Sequence, residues 1–315
     1  MIAVAGEALI DLVPGEPGAL SALTPSRGGG PYNTAVALGR LGAAPAFLSR
    51  ISTDAFGQSL MAGLREAGVD VSPVQRGPEP TTLALASVGE EGSARYTFYV
   101  EGTADRLFRC PERLPEGLRA LCFGTCSLAL EPGASAYEQV LRRASARGLF
   151  TMLDPNIRQG LIPDPGAYRA RFRSWLADTT LLKLSEEDAE WLGGTPEEWL
   201  AAGPEAVVVT RGAGGLDVLG RWGRCEVPAV PVRVVDTIGA GDTVNAALLH
   251  RLSAQGVLAP GSLGELGAER WRDVLGYAAR AAALTCSRAG AQPPTAREME
   301  TGEEPEYGPS PAGPA

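Results

Sequence analysis

The chain has 315 residues, 44% hydrophobic and 21% charged, which is enough apolar sequence for one large core with at most a small appended domain. Its net charge is −9 and it contains no run of Lys or Arg, so a nucleic-acid partner is disfavoured. No stretch of eighteen apolar residues predicts a membrane span, and the first residues lack the basic segment of a signal peptide. We therefore expect a cytoplasmic protein that contacts neither nucleic acid nor membrane.

Counts of the reactive residue types exclude several kinds of site. The five cysteines are odd in number and form no Cys-x-x-Cys pair, which indicates reduced thiols. His250 is the only histidine, so a histidine-based zinc site or a Ser-His-Asp triad is nearly excluded unless His250 serves it. Lys183 is the only lysine, and the Gly-Lys-Ser/Thr end of a Walker A loop does not occur. Any phosphate would have to be bound by another device.

Short apolar runs alternate with amphipathic helices along the chain. Buried apolar strands that alternate with helices predict an α/β fold with a mainly parallel sheet covered on both faces. The strand candidates are residues 2–5, 121–124, 150–153, 180–184 and 206–210. The helix candidates are residues 32–41, 57–67, 134–147, 167–176, 186–192, 241–253 and 271–287.

Two regions depart from this alternation. Residues 82–88 and 95–100 alternate like strands around a Gly-rich stretch at 89–93, which predicts a β-hairpin. The hairpin is either a lid over the carboxyl edge of the sheet or an edge hairpin without function. The tail is rich in Pro, Gly and Glu, so we predict a folded domain over residues 1–292 and a flexible tail over 293–315.

A Gly-Ala-Gly turn at residues 239–241 is the sharpest chemical signal. A predicted strand at 232–235 runs into it, and an apolar helix starts there. Glycines let the backbone approach a ligand, and the first amides of a helix lack internal partners and carry the positive end of its dipole. These amides would form an anion hole for a phosphoryl group, beside which Asp242 could take a proton from an attacking hydroxyl.

Two other interpretations of the turn compete with this one. A dinucleotide-binding turn requires Gly-x-Gly-x-x-Gly after the first strand, whereas Val244 occupies the sixth position and the turn lies late in the chain. A plain capped helix, in which Asp242 merely favours the helix dipole, is compatible with the shape of the motif.

Two segments carry a resemblance to a known family. Residues 236–242 (DTIGAGD) resemble the C-terminal signature of the ribokinase-like, or PfkB, carbohydrate kinases, and residues 27–42 (RGGGPYNTAVALGRLG) are similar to their N-terminal signature. The resemblance covers about residues 1–292 and is closest to bacterial fructokinases. It implies a three-layer sandwich with a small β-sheet lid, contributed by about residues 12–27 and 80–101, and a reaction that uses ATP, Mg²⁺ and a sugar.

The resemblance also assigns roles around the phosphoryl group. Asp242 would be the base that deprotonates the sugar hydroxyl. The transferring phosphate would be held by three amides, those of Gly239, Ala240 and Gly241. The family often has a monovalent cation near this loop, such as K⁺, organised partly by Asp236 and by carbonyls around Gly290.

The nucleotide side is implied by a Gly-rich turn after the strand candidate at 206–210. By its residues alone it is a tight hairpin, and a lone glycine cluster is a weak signal. It resembles the ATP-contacting loop of the family, which would place Thr210, Gly212 and Gly214 near the phosphates. The small residues on one face of the helix at 277–287 could either accept an adenine ring or pack closely on the sheet.

Residues 183–188 open a helix, and Ser185 with Asp188 three positions later resembles a capping box. The family keeps Asn-x-x-Glu here, tied to Mg²⁺ and phosphate positioning, and fructokinase-like members show a similar Lys-x-Ser pattern. The resemblance places Lys183 and Ser185 on the nucleotide side and Asp188 near Mg²⁺, through water. Residues 154–158 (DPNIR) look like the Asp-Pro-Asn-x-Arg motif of fructokinase-like kinases, in which Arg158 would steady phosphate charge; a surface salt bridge is its alternative.

The sugar side begins at Asp11, in a segment that follows the first predicted strand. An ionised aspartate accepts hydrogen bonds from two vicinal hydroxyls, although a turn or N-cap aspartate is the alternative. By resemblance, the sugar hydroxyls would be bound by Asp11, Gly28, Gly29 and Asn33. Glu131 matches a family position near the substrate.

The second strand of the predicted hairpin carries three aromatic residues. Alternation places Tyr96 and Phe98 on one side and Tyr99 on the other, so Tyr96 and Phe98 could cover the apolar face of a sugar. Paired lids would also provide a dimer surface, and a homodimer is the expectation.

We predict an ATP-dependent kinase that phosphorylates a primary hydroxyl of a small carbohydrate, with fructose as the first choice. The alternatives within the family are a 2-keto-3-deoxygluconate kinase and a ribokinase or nucleoside kinase. A catalytically silent sugar-binding regulator would lack the base or the glycines, and both are present. An NAD-dependent dehydrogenase fails on the missing glycine fingerprint.

Overall fold

A computed structural model describes residues 1–15, 21–88 and 94–301. The strands are β1 (Ile2–Ala5), β2 (Leu9–Pro14), β3 (Leu23–Gly28), β4 (Ala46–Leu48), β5 (Arg50–Ser52), β6 (Gln75–Gly77), β7 (Leu83–Val88), β8 (Ala94–Tyr99), β9 (Ala120–Gly124), β10 (Phe150–Asp154), β11 (Leu181–Ser185), β12 (Ala206–Thr210), β13 (Leu216–Gly220) and β14 (Gly223–Val227). The helices are α1 (Gly30–Arg40), α2 (Ala55–Glu66), α3 (Gly133–Ala146), α4 (Pro165–Trp175), α5 (Glu186–Leu192), α6 (Pro196–Ala201), α7 (Ala240–Ala254), α8 (Ala268–Cys286) and α9 (Ala296–Thr301).

The central sheet has eight strands in the order β14-β13-β12-β11-β10-β9-β1-β4. The strands from β12 to β4 are parallel, and β13 and β14 add an antiparallel edge. Side chains alternate between two cores: Ile2 and Val4 of β1 face one, and Ala3 and Ala5 face the other. A sheet buried on both faces confirms the predicted α/β architecture.

Helices cover both faces of the sheet. On one face α1, α7 and α8 contribute buried side chains such as Leu38, Leu248 and Trp271. On the other face α3, α4 and α6 contribute Tyr137, Phe172 and Trp199. The apolar stripe of each helix is thereby removed from water, which stabilises the three layers by burial.

A second, smaller sheet has four strands in the order β3-β2-β7-β8, and we refer to it as the lid because it contains the predicted hairpin. The predicted hairpin is present as the antiparallel pair β7–β8, and β2 joins it in parallel through Asp11 opposite Ala84. Ala84 in turn lies opposite Phe98, so Asp11 and Phe98 share one face of the lid. The predicted connection at residues 89–93 lies outside the described residues.

Two predictions differ from the structure. Residues 232–235 form no strand: the segment is extended and exposed, Val234 by 60%, because its Val235 amide donates to the Cys286 carbonyl at the end of α8 and not to a neighbouring strand. Part of the predicted tail is packed, because α9 places Met299 in the core and Glu298 pairs with Arg288. The rest of that tail, residues 302–315, lies outside the described residues.

Candidate active site

The N-terminus of α7 lies at the carboxyl edge of the sheet. Gly239 caps the helix in a left-handed conformation (φ 76°), and its carbonyl accepts from the Thr243 amide at 2.8 Å. A Cβ at Gly239 would lie 2.7 Å from that of Ala291, so the close approach favours glycine. The Ala240 amide donates to the Thr237 carbonyl within the turn, which leaves the following first-turn amides as the better anion donors.

Asp242 sits in this first turn and is only 7% exposed. Asn33 on α1 donates from Nδ2 to Asp242 Oδ2 at 2.9 Å, which fixes the carboxylate. Burial raises the pKa of Asp242 to about 6; the Asn33 hydrogen bond opposes the rise, and the neighbouring Asp154 charge adds to it. The group is therefore ionised at neutral pH yet basic enough to accept a proton.

Gly30 lets the start of α1 pack closely against the Asp242 carboxylate because it has no side chain. A Cβ at Gly30 would lie 2.6 Å from Thr125 Cγ2, 3.2 Å from Asp242 Oδ1 and 3.3 Å from Asn156 Nδ2. The start of α1 therefore meets the ends of β9 and β10 at the carboxylate.

The lid brings Asp11 within electrostatic reach of Arg158. A Cβ at Gly28 would clash with the Asp11 carboxylate, and one at Gly29 would lie 2.9 Å from the Glu7 carbonyl, so both glycines permit close packing. Burial raises the pKa of Asp11 to about 6, and Arg158 opposes the rise. The Asp11 carboxylate is thus half-shielded from water and faces a cation across the site.

Tyr96 and Phe98 accompany Asp11 on the same face of the lid. Their ring centroids are 6.2 Å apart, and the phenol of Tyr96 interacts electrostatically with Asp11, Arg158 and Asp236. Tyr99 points to the opposite face and is 56% exposed. The predicted alternation of these aromatic residues is confirmed.

Arg158 extends from the loop after β10. Its Nη1 donates to Asn156 Oδ1 at 2.6 Å, and the side chain is otherwise exposed. The same loop is anchored by Asp188, whose Oδ1 accepts from the Ile157 amide at 2.7 Å. Asp188 Oδ2 accepts from both the amide and the hydroxyl of Ser185, which completes the predicted capping box of α5.

Lys183 lies below the first turn of α7. Its Nζ donates to Asp154 Oδ2 at 2.9 Å, and both side chains are buried. Asn245 donates from Nδ2 to the same oxygen at 2.6 Å. A Cβ at Gly241 would lie 3.3 Å from Nζ, so the ammonium group is adjacent to the Gly-Ala-Gly turn.

The loop between β12 and β13 lies at the same edge of the sheet. Thr210 ends β12, Gly212 and Gly214 bound a short 3₁₀ turn, and Gly212 has φ 51°. Arg211 turns away from this loop to Asp217, at 2.9 Å. The predicted tight hairpin is confirmed.

Comparison with known proteins decides the family. The sequence pattern of the family described as pfkB family carbohydrate kinase matches residues 1–298. The chain belongs to this family. The resemblance drawn from its two signature segments is confirmed, and the protein is a carbohydrate kinase that transfers a phosphoryl group to an alcohol acceptor.

Individual relatives of this kinase span nearly its full length. A fructokinase of Rhizobium leguminosarum bv. trifolii is 37% identical over 286 residues, covering 87% of this chain and 86% of that protein. The crystal structure of a fructokinase from Xylella fastidiosa with bound ATP has a TM-score of 0.86 at 29% identity and covers 95% of this chain and 97% of that one. A fructokinase double mutant from Vibrio cholerae O395, bound to fructose, ADP and potassium, has a TM-score of 0.78 at 26% identity over 92% and 93% of the two chains.

Two predicted site residues of the kinase make contacts that are clear in the structure. Asp236 accepts from the Ile238 amide at 3.0 Å and from the Gly290 amide at 2.8 Å, so it ties the predicted cation loop together. Glu131 pairs with Arg171 at 2.6 Å and accepts from the Ser135 amide at the start of α3. The side-chain contacts of Glu131 are therefore with α3 and α4, its carbonyl accepts from Arg106, and no described contact joins it to Asp11 or Asp242.

Four residues of the site escaped the sequence analysis. They are Glu7, Thr125, Asn156 and Asn245. Glu7 is buried and accepts hydrogen bonds from the hydroxyls of Thr125 and Ser127. The one available signal was position in the sequence. Glu7 and Thr125 come just after predicted strands, and Asn156 lies in the DPNIR loop.

None of the helices in the described part of the kinase has the length and apolar content needed to cross a bilayer. Among residues 1–15, 21–88 and 94–301, no group of three or more His, Cys, Asp or Glu side chains is arranged to hold a metal ion.

Proposed function

We propose that this kinase transfers the γ-phosphoryl group of ATP to a primary hydroxyl of fructose. The observation that carries the proposal is the Asp242 carboxylate, buried at the N-terminus of α7, held by Asn33 and closely approached by Gly30. The choice of fructose is supported by relatives named fructokinase at 31–37% identity over most of the chain.

Asp242 acts as the general base in this proposal. It takes the proton of the sugar hydroxyl as the hydroxyl oxygen attacks the γ-phosphorus in line with the departing ADP. The first-turn amides of α7 and the helix dipole stabilise the charge on the phosphoryl oxygens. Arg158, whose guanidinium interacts electrostatically with Asp242, adds a positive charge on the other side.

The lid supplies the sugar contacts. Asp11 presents two carboxylate oxygens to vicinal hydroxyls, and Asn33, Gly28 and Gly29 line the floor beneath it. Tyr96 and Phe98 lie on the Asp11 face and cover the apolar side of the sugar. Closure of this sheet excludes water that would otherwise accept the phosphoryl group.

ATP occupies the other half of the edge, with its phosphates towards Thr210, Gly212 and Gly214. An exposed apolar run borders this half and offers a surface for adenine. It comprises Val230, Val232, Val234, Val235 and Ile238. The Xylella fastidiosa structure, which contains ATP, supports a nucleotide site in this fold.

Mg²⁺ enters with the nucleotide. Asp188 was predicted to act on Mg²⁺ through water, and both of its oxygens accept hydrogen bonds from Ser185 and Ile157. Mg²⁺ commonly keeps several waters and binds substrate phosphates with few protein carboxylates, so water-mediated contact with Asp188 fits this arrangement.

A monovalent cation site is proposed at the loop that Asp236 and Gly290 form. Asp236 holds this loop by two backbone hydrogen bonds, which orients nearby carbonyl oxygens. The Vibrio cholerae structure containing potassium supports K⁺ as the cation. It would stabilise the turn that precedes the phosphoryl-binding amides.

A homodimer through the lid is proposed on two exposed apolar residues that share one face of this sheet. Tyr99 is 56% and Leu23 42% exposed, beside the part of that face where Ile10 packs on the core. A Tyr99→Glu variant should shift the protein to monomers in light scattering if this face forms the interface.

The five cysteines are all free thiols, which supports a cytoplasmic location.

A coupled ADP-release assay with MgATP tests the proposal on a panel of fructose, 2-keto-3-deoxygluconate, ribose, glucose and adenosine. We expect the highest kcat/KM with fructose and activation by K⁺. A preference for another sugar would replace fructose and leave the kinase assignment intact. Absence of turnover with every compound, with and without K⁺, would contradict the proposal.

A further inference from the structure

A buried ion pair lies directly beneath the catalytic turn. Lys183 Nζ is 2.9 Å from Asp154 Oδ2, and the two side chains are 4% and 2% exposed. Asn245 donates to the same Asp154 oxygen, whereas Asp154 Oδ1 and Asn245 Oδ1 are buried without a hydrogen-bond partner among the described residues. Apolar residues of similar volume often stabilise a core as well as a buried ion pair does, so stability alone gives little reason for this arrangement.

Three neighbouring elements bring this pair to Asp242. Asp154 ends β10, Lys183 lies on the adjacent strand β11, and Asn245 follows Asp242 by three residues on α7. Residues three apart share one face of a helix, so the Asp242 turn rests on the Asp154–Lys183 pair. Lys183 Nζ also lies close to Gly241, so the ammonium group is next to the first turn of α7.

Lys183 is the more deeply buried of the two cations that act on Asp242, the other being Arg158. The other groups that face Asp242 are Asn33 and Thr34 on α1, Cys122 on β9, and Thr125, Asp154, Asn156 and Arg158 on the loops and strand ends of β9 and β10. Arg158 also lowers the pKa of Asp242, but its side chain reaches the surface, whereas Lys183 is only 4% exposed and acts on Asp242 more strongly. Without Lys183, two buried carboxylates would face each other, and one of them would bind a proton.

We infer that the Lys183–Asp154 pair controls the charge of Asp242, so that Lys183 is a positioning residue for the base and not a ligand of ATP. The inference rests on the proposed function, because it concerns the proton acceptor of that reaction. Lys183 favours the ionised base, Asp154 opposes it, and the pair together holds the base ionised at neutral pH while leaving it able to accept a proton.

Four variants separate these charges. Lys183→Met should raise the pKa on the acid limb of the kcat/KM profile from about 6 to about 7 or higher, with KM for ATP changed less than about threefold. Asp154→Asn should lower the pKa on this acid limb. The double variant, which removes both charges, should return the limb to within about half a pH unit of wild type, and Lys183→Arg should leave it in place.

Titration of the carboxyl itself gives a readout that does not need turnover. Protein labelled with ¹³C at aspartate Cγ is titrated by NMR, and the Asp242 resonance is identified by its loss in Asp242→Asn. The resonance should titrate at higher pH in Lys183→Met and at lower pH in Asp154→Asn. If no sugar is phosphorylated but these shifts occur, the proposed function fails and the electrostatic coupling stands.

Two results would overturn the inference. In the first, Lys183→Met leaves both the acid limb of kcat/KM and the titration of Asp242 at the wild-type pH, while KM for ATP rises tenfold or more. This is the behaviour expected of a nucleotide ligand. The other is a double variant whose shift equals that of Lys183→Met alone. Lys183→Met leaves Asp154 buried without its cation, so thermal unfolding is measured first. If Lys183→Met unfolds, Asp154→Asn carries the test, and an acid limb that stays at the wild-type pH in Asp154→Asn would overturn the inference.

Discussion

Asn33 and Asp242 are 209 residues apart in the chain, and Asn33 Nδ2 donates to Asp242 Oδ2 at 2.9 Å. This hydrogen bond joins the two signature segments of the family, one at the start of α1 and one at the start of α7. It orients the carboxylate and favours its ionised form. The proposed catalytic centre is thus a contact between two helix N-termini, and each helix is placed by the parallel sheet below it.

Replacing Asn33 by Leu should impair the base without removing it. Loss of the donor raises the pKa of Asp242 further above its ordinary value, so the acid limb of kcat/KM should move to higher pH. We expect kcat/KM at pH 7 to fall about 10- to 100-fold. Thr34→Val is the matched control, because Thr34 donates only to the backbone carbonyl of Asp242, and its acid limb should stay with that of wild type. If the acid limb of the kcat/KM profile lies at the same pH in wild type and in Asn33→Leu, Asn33 does not have this role.

Asp11→Asn tests the sugar subsite. Removing the charge weakens the hydrogen bonds to sugar hydroxyls, so KM for the sugar should rise about tenfold or more while KM for ATP changes little. In wild type, KM for the sugar should also rise as the pH falls through about 6, because burial raises the pKa of Asp11 to about 6 and the protonated form accepts more weakly. Steady-state kinetics with each substrate varied in turn checks both statements; a rise in KM for ATP alone would contradict them.

Gly28→Ala should reproduce much of the Asp11 defect. The new Cβ would clash with the Asp11 carboxylate, which has to move away from the sugar. We expect a rise in KM for the sugar of about tenfold with folding retained. Gly160→Ala is the matched control, since no atom lies within 4 Å of its added Cβ, and its kinetics should equal those of wild type. Unchanged sugar kinetics in Gly28→Ala would show that Asp11 has room to move.

Glu7 makes stability depend on pH. Burial raises the pKa of Glu7 from 4.5 to about 7, opposed by hydrogen bonds from Ser127. The folded state binds the proton more tightly than the unfolded state, so this contribution is fully present below pH 4.5 and is lost as the pH rises through about 7. It is on the order of 3 kcal/mol.

Urea unfolding of wild type and Glu7→Gln at pH 5 and pH 8 measures this contribution. The free energy of unfolding of wild type should fall more between these pH values than that of Glu7→Gln, which does not titrate. Glu101→Gln, at an exposed carboxylate, should keep the wild-type difference. If Glu7→Gln shows the full wild-type difference, Glu7 is not the titrating group.

The sequence predicted helices and strands well where the spacing of apolar residues matched the face that is buried in the structure. The helices starting near Gly30 and Ala240 and the strand Ala206–Thr210 are examples. It failed at residues 232–235, where β-branched residues suggested a strand but a strand also requires a hydrogen-bonded neighbour. Helix α9 was missed because its composition is polar, and its one buried anchor, Met299, is set by tertiary packing.

The site was predictable to the extent that motifs carry it. Asp242, Asp11 and Asn33 came from local signatures, and the structure brings Asn33 to Asp242. The Asp154–Asn245 contact joins residues 91 positions apart and has no local signal, because strand order in the sheet creates it. For Glu131, position in the sequence suggested the substrate, whereas the described contacts are with Arg171 and Ser135.

Product formation by wild type and Asp242→Asn is the most direct test of the account. Fructose and MgATP are incubated with each protein, the phosphorylated sugar is followed by ³¹P NMR, and binding of both substrates is measured by calorimetry. We expect the variant to bind both substrates within a few-fold of wild type and to form product about 10²- to 10⁴-fold more slowly. A variant that phosphorylates fructose at the wild-type rate would contradict the assignment of Asp242 as the base.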